Sequence, residues 1–225
     1  VNRNQIENYI KTVYGDVDAG AYLLKFGNLF VDLPNQQHAN SDFQYVNGRK
    51  EFCSRLITHF EISSRVRDSR HVATCMSVLA NHFDLTLREI EKAFTVTAIY
   101  YSSFTQGQSN NDFLTPLLAI LKIKKPLLYQ SLSKSQMSAG QFFKESLLNQ
   151  LNVGNEHEFN WAWNTAMLDF YLLSETELDI ATSDGNTQVR HGLKRMRSNW
   201  PGNSRQNVIP EHCSKLDRFS LQPQL

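Results

Sequence analysis

The sequence predicts a mainly α-helical protein with one short β-strand, and three observations support this fold class. Apolar residues recur at spacings of three and four in most segments, which is the pattern of helices with one buried face. Helix start signals precede several of these segments. Only residues 30–33, which Pro34 follows, alternate as a strand does. Because an isolated strand forms no sheet, we expect this strand to complete an α/β core that lies upstream.

The first 47 residues are predicted to contain two short helices and a linker in addition to the strand. Ile6 and Ile10 lie on one face of the first helix, and Gly15 is expected to end that helix as a C-cap. Residues 19–26 are predicted to form the second helix. Residues 35–47 are polar and rich in turn-forming residues, so we predict a linker without a regular element.

Three helices are predicted in the next part of the chain. The first begins after Gly48. Asp68 can cap the second by accepting hydrogen bonds from backbone N–H groups of its first turn. Thr86 and Glu89 form a T-x-x-E capping box ahead of the third, in which each of the two side chains satisfies a backbone N–H group of the other residue.

The second half of the chain is also predicted to be helical. Pro116 falls in the first turn of one helix, where proline is tolerated. Another helix is crowded with aromatic side chains, which predicts burial on more than one face, and a ligand pocket is the alternative. These aromatic residues are Trp161, Trp163, Phe170 and Tyr171. The predicted helices span residues 113–123, 138–151, 159–173, 189–197 and 209–219.

The composition excludes several classes of protein. The net charge of the 225 residues is +1, which gives no bulk attraction to nucleic acid or to an anionic membrane. No run of about 18 apolar residues is present that could span a membrane. Cys53, Cys75 and Cys213 are odd in number and far apart, which favours a reducing, cytosolic compartment. His71 and Cys75 could share a helix face, but no second pair has zinc-site spacing, so a metal site is not favoured.

The common catalytic motifs are absent from the sequence. It contains no phosphate loop of the form G-x-x-x-x-G-K-[S/T], and no G-x-G-x-x-G, H-E-x-x-H or G-x-S-x-G. Without the backbone amides and the lysine of a phosphate loop, the chain has no cradle for a triphosphate. Since the chain begins at Val1 and leads directly into a helical pattern, we expect further sequence to precede it.

Three short segments form a series along residues 1–105. VNR at 1–3 leads through a helix to YG at 14–15, YLLKF at 22–26 leads to FVDLP at 30–34, and LTLREIE stands at 85–91. In this order and spacing the segments resemble the C-terminal part of the KAP family of P-loop NTPases. The Walker A and Walker B motifs of that family are missing here.

The resemblance implies a fragment with three parts. Residues 1–34 would end the P-loop NTPase core, residues 35–110 would form a helical lid, and residues 111–225 would form a C-terminal helical domain. The parent would be a bacterial, cytoplasmic ATP-driven switch of the STAND or AAA-like kind, a class often tied to membranes or to phage exclusion. ATP and Mg²⁺ would be bound by the parent and not by this chain alone. The upstream P-loop core is the expected partner, and the resemblance leaves the oligomeric state open.

The resemblance also implies two catalytic or sensor residues. Asn2 follows the expected end of an upstream strand, where a polar residue can contact the γ-phosphate or the attacking water, and a helix N-cap is the alternative. Arg88 lies in the first turn of the lid helix, where a cation opposes the helix dipole. We expect Arg88 to sense phosphate, as arginines do in phosphoryl transfer. A surface arginine paired with Glu89, Glu91 or another neighbour is the alternative.

Two further functions remain open. Residues 190–218 contain seven basic residues and two acidic ones, which bears on the first of these functions. The first is a non-enzymatic helical module that binds nucleic acid through phosphate contacts. The second is a helical protein-interaction scaffold. Few aromatic side chains lie among the basic ones, which favours a solvated helix edge over a nucleic-acid surface. The weaker nucleic-acid candidates are Arg190, Lys194, Arg195 and Arg197, and the other basic residues are Arg205, Lys215 and Arg218.

Overall fold

The fold is mainly α-helical, which confirms the predicted class. The chain divides into two compact units, Val1–Asn35 and Gln36–Leu225. The predicted helix at 19–26 and the predicted strand at 30–33 lie outside the residues that the structure describes. This structure is a computed structural model, and it describes residues 8, 11–13, 15, 36–38, 45–103, 112–151, 161–184, 187–199 and 203–218.

In the first unit, a helical segment ends at Gly15, as predicted. The Gly15 N–H donates to the Lys11 carbonyl at 3.0 Å, and Gly15 has a φ of 76°. Glycine adopts this left-handed conformation without steric cost, which is why it commonly ends helices. The Thr12 hydroxyl donates to the Asn8 carbonyl at 2.8 Å one turn earlier.

The second unit begins with two short strands, so the prediction of a linker without regular elements at 35–47 was wrong. Strand β1 (Gln36–His38) pairs with strand β2 (Tyr45–Asn47) in an antiparallel register that places Gln37 opposite Val46. β2 contains two residues that favour strands. A strand of three residues is nevertheless too short for an alternating pattern to be recognised in the sequence.

Of the next three helices, the second and the third begin at the caps predicted from the sequence. The Asp68 carboxylate accepts hydrogen bonds from the backbone N–H groups of Arg70 and His71, each at 3.1 Å. Thr86 and Glu89 form the reciprocal capping box. Both caps therefore confirm the predicted helix starts. The helices are α1 (Gly48–His59), α2 (Ser69–His82) and α3 (Leu87–Ser102).

The second half contains helices that were predicted and two that were not. Pro116 lies in the first turn of α4, as expected. α5 and α8 have no counterpart in the sequence prediction. α8 follows a second capping box, made by Ser174 and Glu177, which was not recognised in the sequence. The helices are α4 (Leu114–Lys124), α5 (Pro126–Ser133), α6 (Ala139–Ser146), α7 (Trp161–Leu172), α8 (Glu175–Asp184), α9 (Thr187–Asn199) and α10 (Val208–Arg218).

The single helix predicted at 138–151 is broken. α6 ends at Ser146, the next residue Leu147 has a left-handed φ of 56°, and a short 3₁₀ turn follows. The imidazole Nε2 of His82 lies 3.0 Å from the Ser146 carbonyl oxygen, and the Ser146 hydroxyl accepts the Leu148 N–H. A contact from α2, distant in the sequence, therefore satisfies the last carbonyl group of α6. The three 3₁₀ turns described in the second unit are Ile62–Ser64, Leu148–Gln150 and Asn203–Asn207.

The core of the second unit is built around α4, which packs against α2, α3 and α5. Every residue from Leu114 to Leu121 is buried. Phe170 and Tyr171 of α7 are buried as well, which confirms the core interpretation for these two, whereas Trp163 is 41% exposed. None of the described helices is long and apolar enough to cross a membrane.

Candidate functional site

The predicted sensor Arg88 lies in the first turn of α3 with its side chain exposed to solvent. Within the described ranges, no hydrogen bond or ion pair engages its guanidinium group. Arginine binds phosphate through two parallel N–H donors, so an exposed and uncompensated guanidinium is available for a bidentate contact with an anion.

Glu89, the acidic residue next to Arg88, forms its hydrogen bonds and its ion pair with other residues. Glu89 Oε2 accepts the Thr86 backbone N–H at 2.7 Å and the Thr86 hydroxyl at 3.0 Å. Glu89 Oε1 lies 3.4 Å from Lys124 Nζ. The Thr86 N–H is the largest cause that lowers the pKa of Glu89 below its ordinary value. Glu89 is therefore an ionised cap, and its partners are Thr86 and Lys124.

The turn that leads into α3 is fixed by side chains from two other helices. Asp84, with a φ of 47°, occupies a left-handed position in this turn. Its carbonyl oxygen accepts Lys124 Nζ of α4 at 3.1 Å, and its carboxylate accepts Arg49 Nη2 of α1 at 3.1 Å. Arg49 also donates to the Asn81 side chain at 2.9 Å. We call residues 81–89, together with Arg49 and Lys124, the Arg88 corner.

A second cation lies one helical turn after Arg88. Lys92 is exposed and stands four positions later on α3, so the two side chains share one face of the helix. Glu91 is exposed three positions after Arg88, and no ion pair joins the two among the described residues. Lys92 was not predicted from the sequence, although its spacing of four from Arg88 was visible there. Among the described residues, Arg88 is therefore a surface arginine that pairs with neither Glu89 nor Glu91.

The other predicted site residue, Asn2, lies outside the described residues. Its role as a phosphate contact or as a helix cap stays a prediction. The Arg88 corner is consequently the only predicted catalytic position that can be assessed within the described part of the chain.

The basic helix α9 faces an acidic neighbour. α9 packs against α8, which carries Glu175, Glu177 and Asp179. Arg197 donates to the Asp179 carboxylate, and both side chains are about half exposed. Lys194 and Arg195 are exposed, and Arg190 is half-buried. The positive charge of α9 is thus partly compensated within the fold, which weakens a nucleic-acid surface there.

Arg205 is a structural residue. Its side chain is 2% exposed and donates to the Phe170 carbonyl, to the Leu173 carbonyl at 2.7 Å and to Glu175 Oε1 at 2.8 and 3.0 Å. The guanidinium also lies 5.4 Å from the centre of the Phe170 ring. Arg205 therefore satisfies the last carbonyl groups of α7 and cannot contact a phosphate at the same time.

His71 and Cys75 contact each other on α2. Cys75 Sγ lies 3.4 Å from His71 Nε2, and burial raises the pKa of the Cys75 thiol well above its ordinary value. In the described part of the chain, no group of three or more metal-ligating side chains comes together. His71 is half-buried and Cys75, four positions later on α2, is buried.

No known protein-family model, curated protein or solved structure matches this chain. The KAP resemblance therefore depends on the three sequence segments alone. The geometry of the Arg88 corner is an observation independent of that resemblance.

Proposed function

We propose that this chain is the helical C-terminal part of a KAP-like P-loop NTPase, in which Arg88 senses the γ-phosphate of ATP. The Arg88 corner is the observation that supports this most. It presents an exposed arginine without a counter-ion among the described residues, from a turn that Arg49 and Lys124 hold in place. A backbone turn that is fixed by hydrogen bonds lowers the entropy lost when its arginine side chain binds a phosphate. A phosphate sensor requires such a fixed position.

In this proposal the chain contributes the sensor and not the phosphate cradle. ATP with Mg²⁺ supplies a phosphoryl group whose negative charge grows toward the transition state, and residues outside this chain would hold both. Arg88 would donate its paired N–H groups to the γ-phosphate oxygens, and Lys92 would add a second positive charge on the same face. The buried residues of α3 would keep that face at a fixed orientation.

Two side-chain contacts connect α3 and α4, which carry residues of the Arg88 corner, with α10. Tyr100, on α3, stacks on His212 of α10 with ring centres 5.4 Å apart. Lys122 of α4 donates to the Asp217 carboxylate of α10 at 2.7 Å. A shift of α3 upon phosphate binding would therefore move α10, either directly or through α4. Such a relay between two packed arrangements is how nucleotide switches transmit their state.

Nucleotide binding by variants of the phosphate-loop-containing protein tests the proposal. Arg88→Ala should lower the preference for a non-hydrolysable ATP analogue over ADP by roughly tenfold or more, because a hydrogen bond to a charged group contributes about 1.5–3 kcal/mol. Calorimetric titration with Mg²⁺ present measures both dissociation constants.

Arg70→Ala is the matched control. Arg70 is also exposed and is also the second residue of a helix that an N-terminal side chain caps. Its replacement should leave the ratio of the ATP-analogue and ADP affinities unchanged. An unchanged ratio in Arg88→Ala would refute the sensor role.

A further inference from the structure

A cavity of about 380 Å³ lies within the second unit, where the ends of α5 and α7 meet the starts of α6, α8 and α10. This volume is in the range of small-molecule sites. Part of the wall is apolar and part is polar. The apolar part includes Leu132, Met137 and Ile209, and the polar part includes Ser135, Gln136 and Gln206.

The wall beside α5 is preformed. Ser135 adopts a left-handed φ of 53°, and the Gln136 N–H donates back to the Ser131 carbonyl at 3.0 Å, which closes the end of α5. Ser138 then caps α6 by accepting the Gln141 N–H. Because these bonds fix the loop in the absence of a ligand, little ordering is required on binding.

Among the described residues that line the cavity, the only full charge is a carboxylate, since no lysine or arginine is present. Glu177 Oε2 accepts the Ser174 N–H at 2.8 Å and the Ser174 hydroxyl at 2.7 Å. The Ser174 N–H is also the largest cause that lowers the pKa of Glu177, which keeps its carboxylate ionised at neutral pH. Glu177 Oε1 makes no hydrogen bond to any described residue, so one charged oxygen remains available.

We propose that this cavity binds a small amphipathic amine, whose ammonium group contacts Glu177 Oε1 and whose apolar body lies against Leu132, Met137 and Ile209. Tyr171 supports the assignment because it also lines the cavity, and aromatic side chains attract organic cations. An anionic ligand is disfavoured, because it would face Glu177 without a compensating cation on the described wall. The proposed site is separate from the Arg88 corner and does not depend on nucleotide binding.

Three probes of one shape and different charge test the proposal on the 225-residue chain. 4-Phenylbutylamine, 4-phenyl-1-butanol and 4-phenylbutyrate are titrated at pH 7 and followed by calorimetry and by NMR shifts of the cavity methyl groups. The amine should bind about threefold to fivefold more tightly than the alcohol, and the butyrate most weakly, because water screens a charge pair at an exposed carboxylate such as Glu177.

Two variants test the contribution of the Glu177 charge separately from the contribution of the cavity itself. Glu177→Gln retains the capping box, since glutamine also serves at that position, and should reduce the affinity for the amine to that for the alcohol. Gln136→Trp, at an exposed wall position, should block both ligands. Glu91→Gln is the control and should bind as the wild type does.

Three results would overturn the proposal. The first is the absence of binding by the amine to the wild-type chain. The second is equal affinity for all three probes. The third is an amine preference that persists in Glu177→Gln, or, if that variant does not fold, NMR shifts that persist in Gln136→Trp.

Discussion

Replacing Arg205 by Met should destabilise the second unit far more than replacing an exposed arginine does. The guanidinium is 2% exposed and is bound to two carbonyl groups and to the Glu175 carboxylate, so methionine leaves all three acceptors without this donor. Breaking a buried ion pair costs about 3–5 kcal/mol. Because the Glu175 side chain is 48% exposed and can be hydrated, we expect the lower end, about 3 kcal/mol.

Guanidinium chloride unfolding followed by circular dichroism at 222 nm measures this loss. Arg197→Met is the matched control, since Arg197 also pairs with a carboxylate of α8 but is 46% exposed. Exposed ion pairs contribute at most about 1 kcal/mol, so this variant should lose no more than that. Arg205→Lys should fall between wild type and Arg205→Met, because lysine retains the charge but not the planar set of donors. Equal losses for Arg205→Met and Arg197→Met would refute the reasoning.

Three further predictions concern packing, pH and nucleic acid. Gly192→Val should lower the free energy of unfolding by about 1–3 kcal/mol, since even a Cβ at Gly192 would lie 3.0 Å from Ala166 Cβ. Gly140→Val should cause no such loss, because a Cβ at Gly140 would contact no neighbouring residue within 4 Å. Equal losses in the two variants would contradict the close packing of α7 and α9. Burial raises the pKa of Asp169 to about 6 from its ordinary 3.8, so the folded state holds this proton more tightly and its contribution to stability is lost as pH rises from about 4 through 6. Asp169→Asn should therefore raise the unfolding free energy at pH 7.5 by about 1 kcal/mol and leave it unchanged below pH 4, and a gain of equal size at both pH values would contradict this. A salt titration of duplex DNA binding should give a log–log slope shallower than about −2, because α8 partly compensates the charge of α9, whereas a slope near −6 would indicate a nucleic-acid surface.

The sequence predicted local features of the fold well. Asp68, Thr86 and Glu89 cap helices where the sequence placed them, and Gly15 ends the first helix. Caps and helix ends depend on residues within one turn of each other, so a single sequence contains the information.

Features that depend on distant contacts were not predicted. At the break that follows α6, the His82 imidazole contacts the Ser146 carbonyl group, and these residues are 64 positions apart. The basic stretch contained no sign that Arg205 would be buried, because its acceptors belong to α7 and α8. The α8 cap is different, since the S-x-x-E pattern at Ser174 was visible in the sequence.

The sequence singled out Arg88 as a candidate, but it did not predict the contacts that surround this residue. Arg88 was singled out because a cation in the first turn of a helix is electrostatically unfavourable without a partner. The fixation of its turn by Arg49 and Lys124 requires helices that are distant in the sequence, so only the structure shows it. The cavity at Glu177 likewise assembles from four α-helices and the segments between them, and the sequence showed only separate parts of it, the aromatic cluster that includes Tyr171 and the S-x-x-E pattern at Ser174.

The turnover number and melting temperature of Arg88 variants test the central claim most directly. In the protein that contains the phosphate loop, Arg88→Ala should lower kcat by about 10³-fold, as the loss of a phosphate-stabilising arginine does. Its melting temperature should change little, because an exposed substitution costs within roughly 0.5 kcal/mol. Arg88→Lys should recover only part of kcat, because an ammonium group lacks the bidentate geometry. An unchanged kcat in Arg88→Ala, or a loss of kcat that the fall in melting temperature fully explains, would contradict the sensor role of Arg88.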